Sequence, residues 1–244
     1  MHDQTSRINR LRERYTALRM RIDEAAERSG RAPSDVTLVA VSKTFPLADV
    51  VAARAAGLRD FGENRVQELD EKAHALPGAW MNPDEPDAVR WHHIGSLQRN
   101  KAKAVCEVAD LFHALDSPRL ATALDKRAAA VGRVLPCLVQ VNVSGEASKS
   151  GLAPSDTLAF VDSLSGYHHL KPVGLMTLAV QASTPEAVER VVRPQFQLLR
   201  RLAEEAGRER LPYLSMGMSG DFEVAIEEGA THVRIGSALF GQRG

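Results

Sequence analysis

Only two cysteines, Cys106 and Cys137, occur in 244 residues. Two thiols, one in an apolar run and one in a helical pattern, make no disulfide framework, so a cystine-stapled secreted scaffold is excluded and a reducing compartment fits. Neither sign of charge is in excess, since 31 Lys and Arg balance 31 Asp and Glu. A balanced chain has no general electrostatic reason to bind nucleic acid or an anionic membrane. No uninterrupted apolar run is long enough to span a bilayer. The opening stretch MHDQTSRINRLRERY lacks the apolar centre of a secretory signal. The cytoplasm is the expected location. There is no internal repeat beyond an alternation of short elements, and no low-complexity tail. Metal-ligand spacing is lacking too. His92 and His93 stand together with no carboxylate or cysteine at a useful distance, so no metal is expected, and one of the pair should point inward as a core or cleft histidine.

What is present is ordinary soluble-protein material, 44% hydrophobic and 25% charged. Residues 3–29 read as one amphipathic helix. Ile8, Leu11, Tyr15, Leu18, Ile22 and Ala25 recur at spacings of three and four and form one apolar stripe. Gly30 is a plausible stop, with Pro33 beyond it. The stripe is expected to pack on the rest of the domain.

After this helix, short β-branched or apolar runs alternate with helical patterns. Strands are expected at 38–42, 60–62, 90–94, 111–114, 135–143, 172–176, 213–217 and 232–235. Helices are expected at 47–56, 65–75, 101–106, 117–131, 154–165, 184–207 and 221–228. Alternation of this kind implies parallel pairing. Eight units imply closure into a (β/α)8 TIM-type barrel with an extra N-terminal helix, one domain over 1–244. The segment PGAWMNPDEPD, 77–87, is rich in proline and acid and reads as an irregular, mobile loop.

In such a barrel the functional groups sit at the C-terminal ends of the strands. Lys43 closely follows the apolar run 38–41. Two readings stand side by side. It can end a strand and point to water, as most lysines do. Or its amine can form a Schiff base, which burial or nearby charge makes possible. Taken alone, Lys43 favours the first. The C-terminal end changes this. SMGMSGD, 215–221, runs from a strand end into a helical pattern, and VRIGSALF, 233–240, repeats small glycine-containing residues at the next strand end. Loops after strands seven and eight of such barrels often hold phosphate. Arg234 adds a positive group beside them. Barrel closure brings the last strand next to the first, so Lys43 is expected to neighbour a phosphate cradle. That pairing, without metal ligands, suggests pyridoxal phosphate.

Eight ordered stretches now carry a resemblance: LVAVSKT, FGENRVQE, WHHIGSLQRNK, VNV, KSG, GLMT, LSMGMSGD and VRIGSALFG. Together they resemble the pyridoxal phosphate homeostasis protein family, from about residue 36 to the end. The resemblance implies a barrel like the N-terminal domain of alanine racemase. It implies a pyridoxal 5′-phosphate aldimine on Lys43 and a role in cofactor and amino-acid balance, without established turnover. Carried over residue by residue, Arg234 would face the ring nitrogen, and Ser219, Gly236 and Ser237 would bind the phosphate. Asn64 and Ser96, at neighbouring strand ends, would be further contacts. A permanently protonated arginine there leaves the ring a weaker electron sink. Apo enzymes that need the cofactor are conceivable recipients, and a monomer is expected.

One departure from the racemase matters. Racemisation uses a base on each face of the substrate, and there the second base is a tyrosine from a C-terminal β-domain. The sequence stops four residues after Phe240, so that domain is expected to be missing, and none of Tyr15, Tyr167 and Tyr213 is expected over the cofactor. An amino-acid racemase is the rival reading, and a barrel for some other phosphorylated small molecule is the third. GEASKSG, 145–151, lacks nucleotide-loop spacing and reads as a rim of the pocket. Arg193, Arg200, Arg201, Arg208 and Arg210 read as a solvated, ion-paired face.

Overall fold

Strands buried on both faces should be nearly continuous apolar runs, and the first is: β1, Thr37–Val41, is TLVAV. A computed structural model describes residues 2–146 and 149–241. In it β1 is followed by β2 (Asp60–Glu63), β3 (Arg90–His93), β4 (Leu111–Leu115), β5 (Leu135–Gln140), β6 (Leu170–Met176), β7 (Tyr213–Ser215) and β8 (His232–Ile235). Every neighbouring pair is parallel, and β8 returns to β1, so the barrel is closed.

The N-terminal helix α1 spans His2–Arg28. Leu11, Leu18, Ile22 and Ala25 are buried as the stripe requires, and Gly30 ends the helix at φ +70°. Between the strands run α2 (Leu47–Ala55), α3 (Val66–Ala75), α4 (Ala102–Val108), α5 (Pro118–Ala130) and α6 (Pro154–Ser163). The expected helix over 184–207 is in fact three pieces: α7 (Pro185–Ala187), a π turn (Val188–Val192) and α8 (Arg193–Ala206). Pro194 lies at the start of α8, where its missing N–H cannot extend the ladder behind it, and the extra residue is taken up in the π turn. Two short helices, α9 (Phe222–Glu227) and α10 (Ser237–Phe240), follow the last two strands. α1 packs against α2, α9 and α10.

One further expectation needs correcting. The fifth strand stops at Gln140, not 143; Val141 makes only an isolated bridge to Leu152 as the chain leaves the sheet. The 77–87 segment is anchored at its ends. Gly78 bridges Val89, the Trp80 amide donates to Asp110 Oδ1 at 2.6 Å, and the Trp80 ring lies 4.1 Å from the Arg133 guanidinium. The arginine face is ion-paired: Arg193 contacts Glu189, Glu227 and Glu228, and Arg210 contacts Asp162. No helix among the described residues is long and apolar enough to cross a membrane.

The adjacent histidines of β3 fall on opposite faces, as strand geometry demands. His92 points into the barrel. His93 faces the helices, where its ring stacks on Phe112 at 5.7 Å and neither nitrogen has a partner. Burial drives the His93 pKa down from 6.5 to about 4. The depressed value means the folded state binds fewer protons. The stability this group contributes is complete above pH 6.5 and is lost as pH falls through about 4, a swing of roughly 3 kcal/mol. His93→Phe keeps the stack and removes the titration. Urea midpoints should therefore rise more at pH 5 than at pH 7.5; an equal change at both would show that His93 does not titrate this way.

Candidate functional site

The C-terminal end of β1 turns sharply. The Phe45 amide donates to the Ser42 carbonyl at 3.1 Å, which closes a four-residue turn with Lys43 at its second position. Thr44 occupies the third position at φ +69°, a conformation that disfavours a β-branched residue. Its amide donates to Glu68 Oε2 at 2.6 Å, which helps hold the strained turn. Behind it lies a buried lysine. Lys72 on α3 donates to the Ser42 carbonyl at 2.9 Å and to Glu63 Oε1 at 2.5 Å. The Ser42 hydroxyl donates to the same carboxylate oxygen at 2.7 Å. Burial pushes the Glu63 pKa up against the pull of Lys72. Half-buried Lys43 therefore projects from a fixed turn.

The register places this turn beside the end of β8. Ala40 pairs with Ile235, and a side chain on Gly236 would meet the Val41 carbonyl at 3.3 Å. The stacked rings of Phe45 and Phe240, 4.8 Å apart, bind the turn to α10. The β7 and β8 loops meet where the Ser237 hydroxyl donates to Ser219 Oγ at 3.4 Å. Gly217, at φ +91°, lets the β7 loop pass Ala225, which a Cβ would approach to 2.6 Å. Asp221 Oδ1 accepts the Met218 amide at 2.5 Å and closes that loop. The Ser219 and Gly220 amides donate to no backbone carbonyl among the described residues. The first amides of α10 have no carbonyl behind them either. Two serine hydroxyls and a set of unpaired amides on converging loops are the donor set a phosphate needs.

Arg234 is only 4% exposed, inside the barrel just below this cradle. Its Nη1 donates to Ser215 Oγ at 2.5 Å and its Nη2 to the Thr177 carbonyl at 2.7 Å. The Nε–H and one hydrogen on each Nη are left for a ligand. Burial lowers its pKa to about 10, opposed by the charge of Asp221, so the guanidinium stays protonated at neutral pH.

The sequence-predicted residues thus form one group and an outlying rim. Lys43, Ser219, Arg234, Gly236 and Ser237 converge on the β7–β8–β1 seam. Asn64 and Ser96 follow β2 and β3. The Asn64 backbone lies so near Gly95 that a Cβ there would sit 2.2 Å from the Asn64 carbonyl. Ser96 is exposed and shares a 3.1 Å hydrogen bond with Ser150, so it touches the 144–151 rim. Residues 147 and 148 of that rim lie outside the described residues. Thr177 is a strand-end residue and Ser215 opens the 215–221 stretch, but neither was expected to hold Arg234, and Lys72 was not singled out from the sequence. Ser215 could have been found by the two-residue alternation along β7; Lys72 looks like any solvated helix lysine. Tyr213 lies at the opposite, N-terminal mouth, while Tyr15 and Tyr167 lie on the outer surface.

The profile of the alanine racemase N-terminal domain family matches residues 14–244. The chain is 42% identical over 234 residues to a pyridoxal phosphate homeostasis protein of Aquifex aeolicus, covering 95% of this chain and 97% of that one. A Pseudomonas aeruginosa protein of the same name is 42% identical over 97% of each chain. Among solved structures, PipY of Synechococcus elongatus with pyridoxal phosphate bound matches at TM-score 0.76 and 38% identity, covering 95% of this chain and all of that one. Alanine racemase of Clostridium difficile matches at TM-score 0.68 but 14% identity, which shows the shared fold alone; this chain covers 57% of it. The chain belongs to the pyridoxal phosphate homeostasis protein family, whose barrel is that of the alanine racemase N-terminal domain.

Proposed function

We propose that this protein binds pyridoxal 5′-phosphate reversibly on Lys43 and limits the free aldehyde in the cell, as a homeostasis protein without established turnover. The observation that carries this reading is the meeting of the Lys43 turn with the Ser219–Ser237 cradle on one seam of the barrel. The amine condenses with the aldehyde, one water leaves, and a Schiff base forms; its hydrolysis returns both partners, with no redox step. Ser219, Gly236 and Ser237 hold the phosphate, Arg234 faces the ring nitrogen, and Asn64 and Ser96 border the open side. When bound, the cofactor supplies an electron sink, and Arg234 weakens it by leaving the ring nitrogen unprotonated. A part in amino-acid balance, delivery to apo enzymes, a monomeric state and a cytoplasmic location belong to the same proposal. The placement of Tyr213 at the far mouth favours a carrier over a racemase.

Addition of pyridoxal phosphate should produce a visible absorption band. Borohydride reduction followed by peptide mass spectrometry should put the adduct on Lys43. No band, or an adduct spread over surface lysines, would sink the proposal. Sustained deuterium exchange at the α-carbon of supplied amino acids would favour the racemase instead. Arg234→Gln removes the charge beside the ring and should shift the band and weaken retention about tenfold, since hydrogen bonds to charged groups contribute about 1.5–3 kcal/mol. An unchanged band and affinity would take Arg234 away from the ring.

A further inference from the structure

β4 and β7 are not neighbours in the barrel, so a hydrogen bond between their side chains has to cross its interior. One does: His113 Nδ1 lies 3.0 Å from Ser215 Oγ. It belongs to a longer series. Arg234 Nη1 donates to Ser215 Oγ, His113 Nε2 lies 2.9 Å from His92 Nδ1, and His92 Nε2 lies 3.0 Å from Asp60 Oδ1. All five residues are buried. They come from β8, β7, β4, β3 and β2 and link the arginine under the cradle to the opposite mouth. There Asp60 also receives Arg90 at 2.7 and 2.5 Å.

One set of proton positions satisfies every contact of the chain. Asp60 is ionised, its pKa held near 2 by His92 and Arg90 against the cost of burial. It can only accept, so His92 Nε2 carries a proton, and the chain requires that His92 Nδ1 be bare. His113 is held neutral by burial, its pKa well below 6.5. A neutral His113 has a single N–H. With that N–H on Nε2, it donates to His92 Nδ1, and its bare Nδ1 accepts the Ser215 proton. The Ser215 oxygen is then free to accept from Arg234. Every donor meets an acceptor. With the His113 proton on Nδ1 instead, the Ser215 oxygen would take two donors, and its own proton would have no acceptor along the chain.

The geometry points to Ser215, His113, His92 and Asp60 as positioning residues, a one-way hydrogen-bond chain that turns the Ser215 lone pair toward Arg234 and fixes the guanidinium beneath the cofactor. This rests on the reading of Arg234 as the ring-nitrogen partner. The chain aims the arginine without a carboxylate in contact with it, so its positive charge toward the ring is kept. A carboxylate placed directly on Arg234 would offset that charge. The chain's own anion, Asp60, lies three hydrogen bonds beyond Ser215, and Asp221 acts on Arg234 through its charge without a hydrogen bond among the described contacts.

Nitrogen-15 NMR of the cofactor-free protein tests the chain directly. Both His92 and His113 should be Nε2–H tautomers. Asp60→Asn, whose amide can donate to His92 Nε2, should change the tautomer of at least one of them. In the loaded protein, Ser215→Ala and Asp60→Asn should each weaken retention about tenfold and shift the band, with the reduced adduct still on Lys43. Ser215→Ala alters one oxygen and carries this arm if Asp60→Asn does not fold. An Nδ1–H tautomer at His113 in the parent protein would overturn the inference, as would a Ser215→Ala protein with unchanged spectrum and affinity. If the parent forms no band at all, the cofactor reading fails while the tautomer measurement still decides the chain.

Discussion

Lys43→Ala protein, incubated with pyridoxal phosphate and reduced with borohydride, should gain adduct only at background level. Two other lysines are rivals for the aldehyde, Lys72 and Lys149. Lys72 is the nearest rival in sequence, but it lies on the outer face of the barrel wall. Its amine is held by Glu63 Oε1 at 2.5 Å and by the Ser42 carbonyl at 2.9 Å. Burial at 7% exposure also keeps the aldehyde from reaching it. Lys149 donates to the Ala179 carbonyl at 3.0 Å and pairs with Glu146 at 3.3 Å. The fold should survive, because Lys43 is half-buried on a turn whose closing bonds are made by Ser42, Thr44 and Phe45. The melting temperature thus serves as the control. Full adduct in the Lys43→Ala protein would move the covalent site elsewhere. A loss of adduct together with a collapsed melting curve would show only that the turn supports the fold.

The strands were legible because burial on both faces leaves continuous apolar runs, and β1 and β5 are the clearest of these. The overruns have specific causes. The alternation of Val141 and Val143 continues past Gln140, but only Val141 finds a bridging partner. The apolar period of 184–207 runs straight across Pro194, and periodicity alone is blind to a missing N–H. Lys43, Ser219, Arg234, Gly236 and Ser237 could be read because strand ends are local features and closure joins the first strand to the last. The polar chain beneath them could not. His92, His113, Ser215 and Asp60 meet only through the register of four strands, and each looks unremarkable in its own segment. The adjacent pair at 92 and 93 illustrates the limit. Alternation tells that one histidine points in and the other out, but not that the inner one has partners on both nitrogens and the outer one on neither.

Lys72→Met should be the most destabilising single change in the neighbourhood of the site. It leaves the Glu63 carboxylate, fully buried, without its cation, and one of its oxygens already has no partner. Removing one member of a buried pair costs about 3–5 kcal/mol. For a domain of this size that is a fall of roughly 10 °C in melting temperature. The pH dependence has a definite sign. The Glu63 pKa is raised above 4.5 by burial even with Lys72 present, and loss of the cation raises it further. A raised carboxyl pKa means stability is greatest below 4.5 and is lost as pH rises through the folded value. The deficit of Lys72→Met relative to the parent should therefore be larger at pH 8 than at pH 5.5. Adding Glu63→Gln should restore much of the stability, because the orphaned charge is gone. It should not fully restore the turn, since the Ser42 carbonyl keeps the Phe45 amide but still lacks the lysine's bond. The double variant should thus melt near the parent yet capture pyridoxal phosphate on Lys43 more slowly. If it captures at the parental rate, Lys72 supports only the fold. If Lys72→Met melts within about 1 °C of the parent, Glu63 is already protonated, and the pair is a neutral contact in place of a salt bridge.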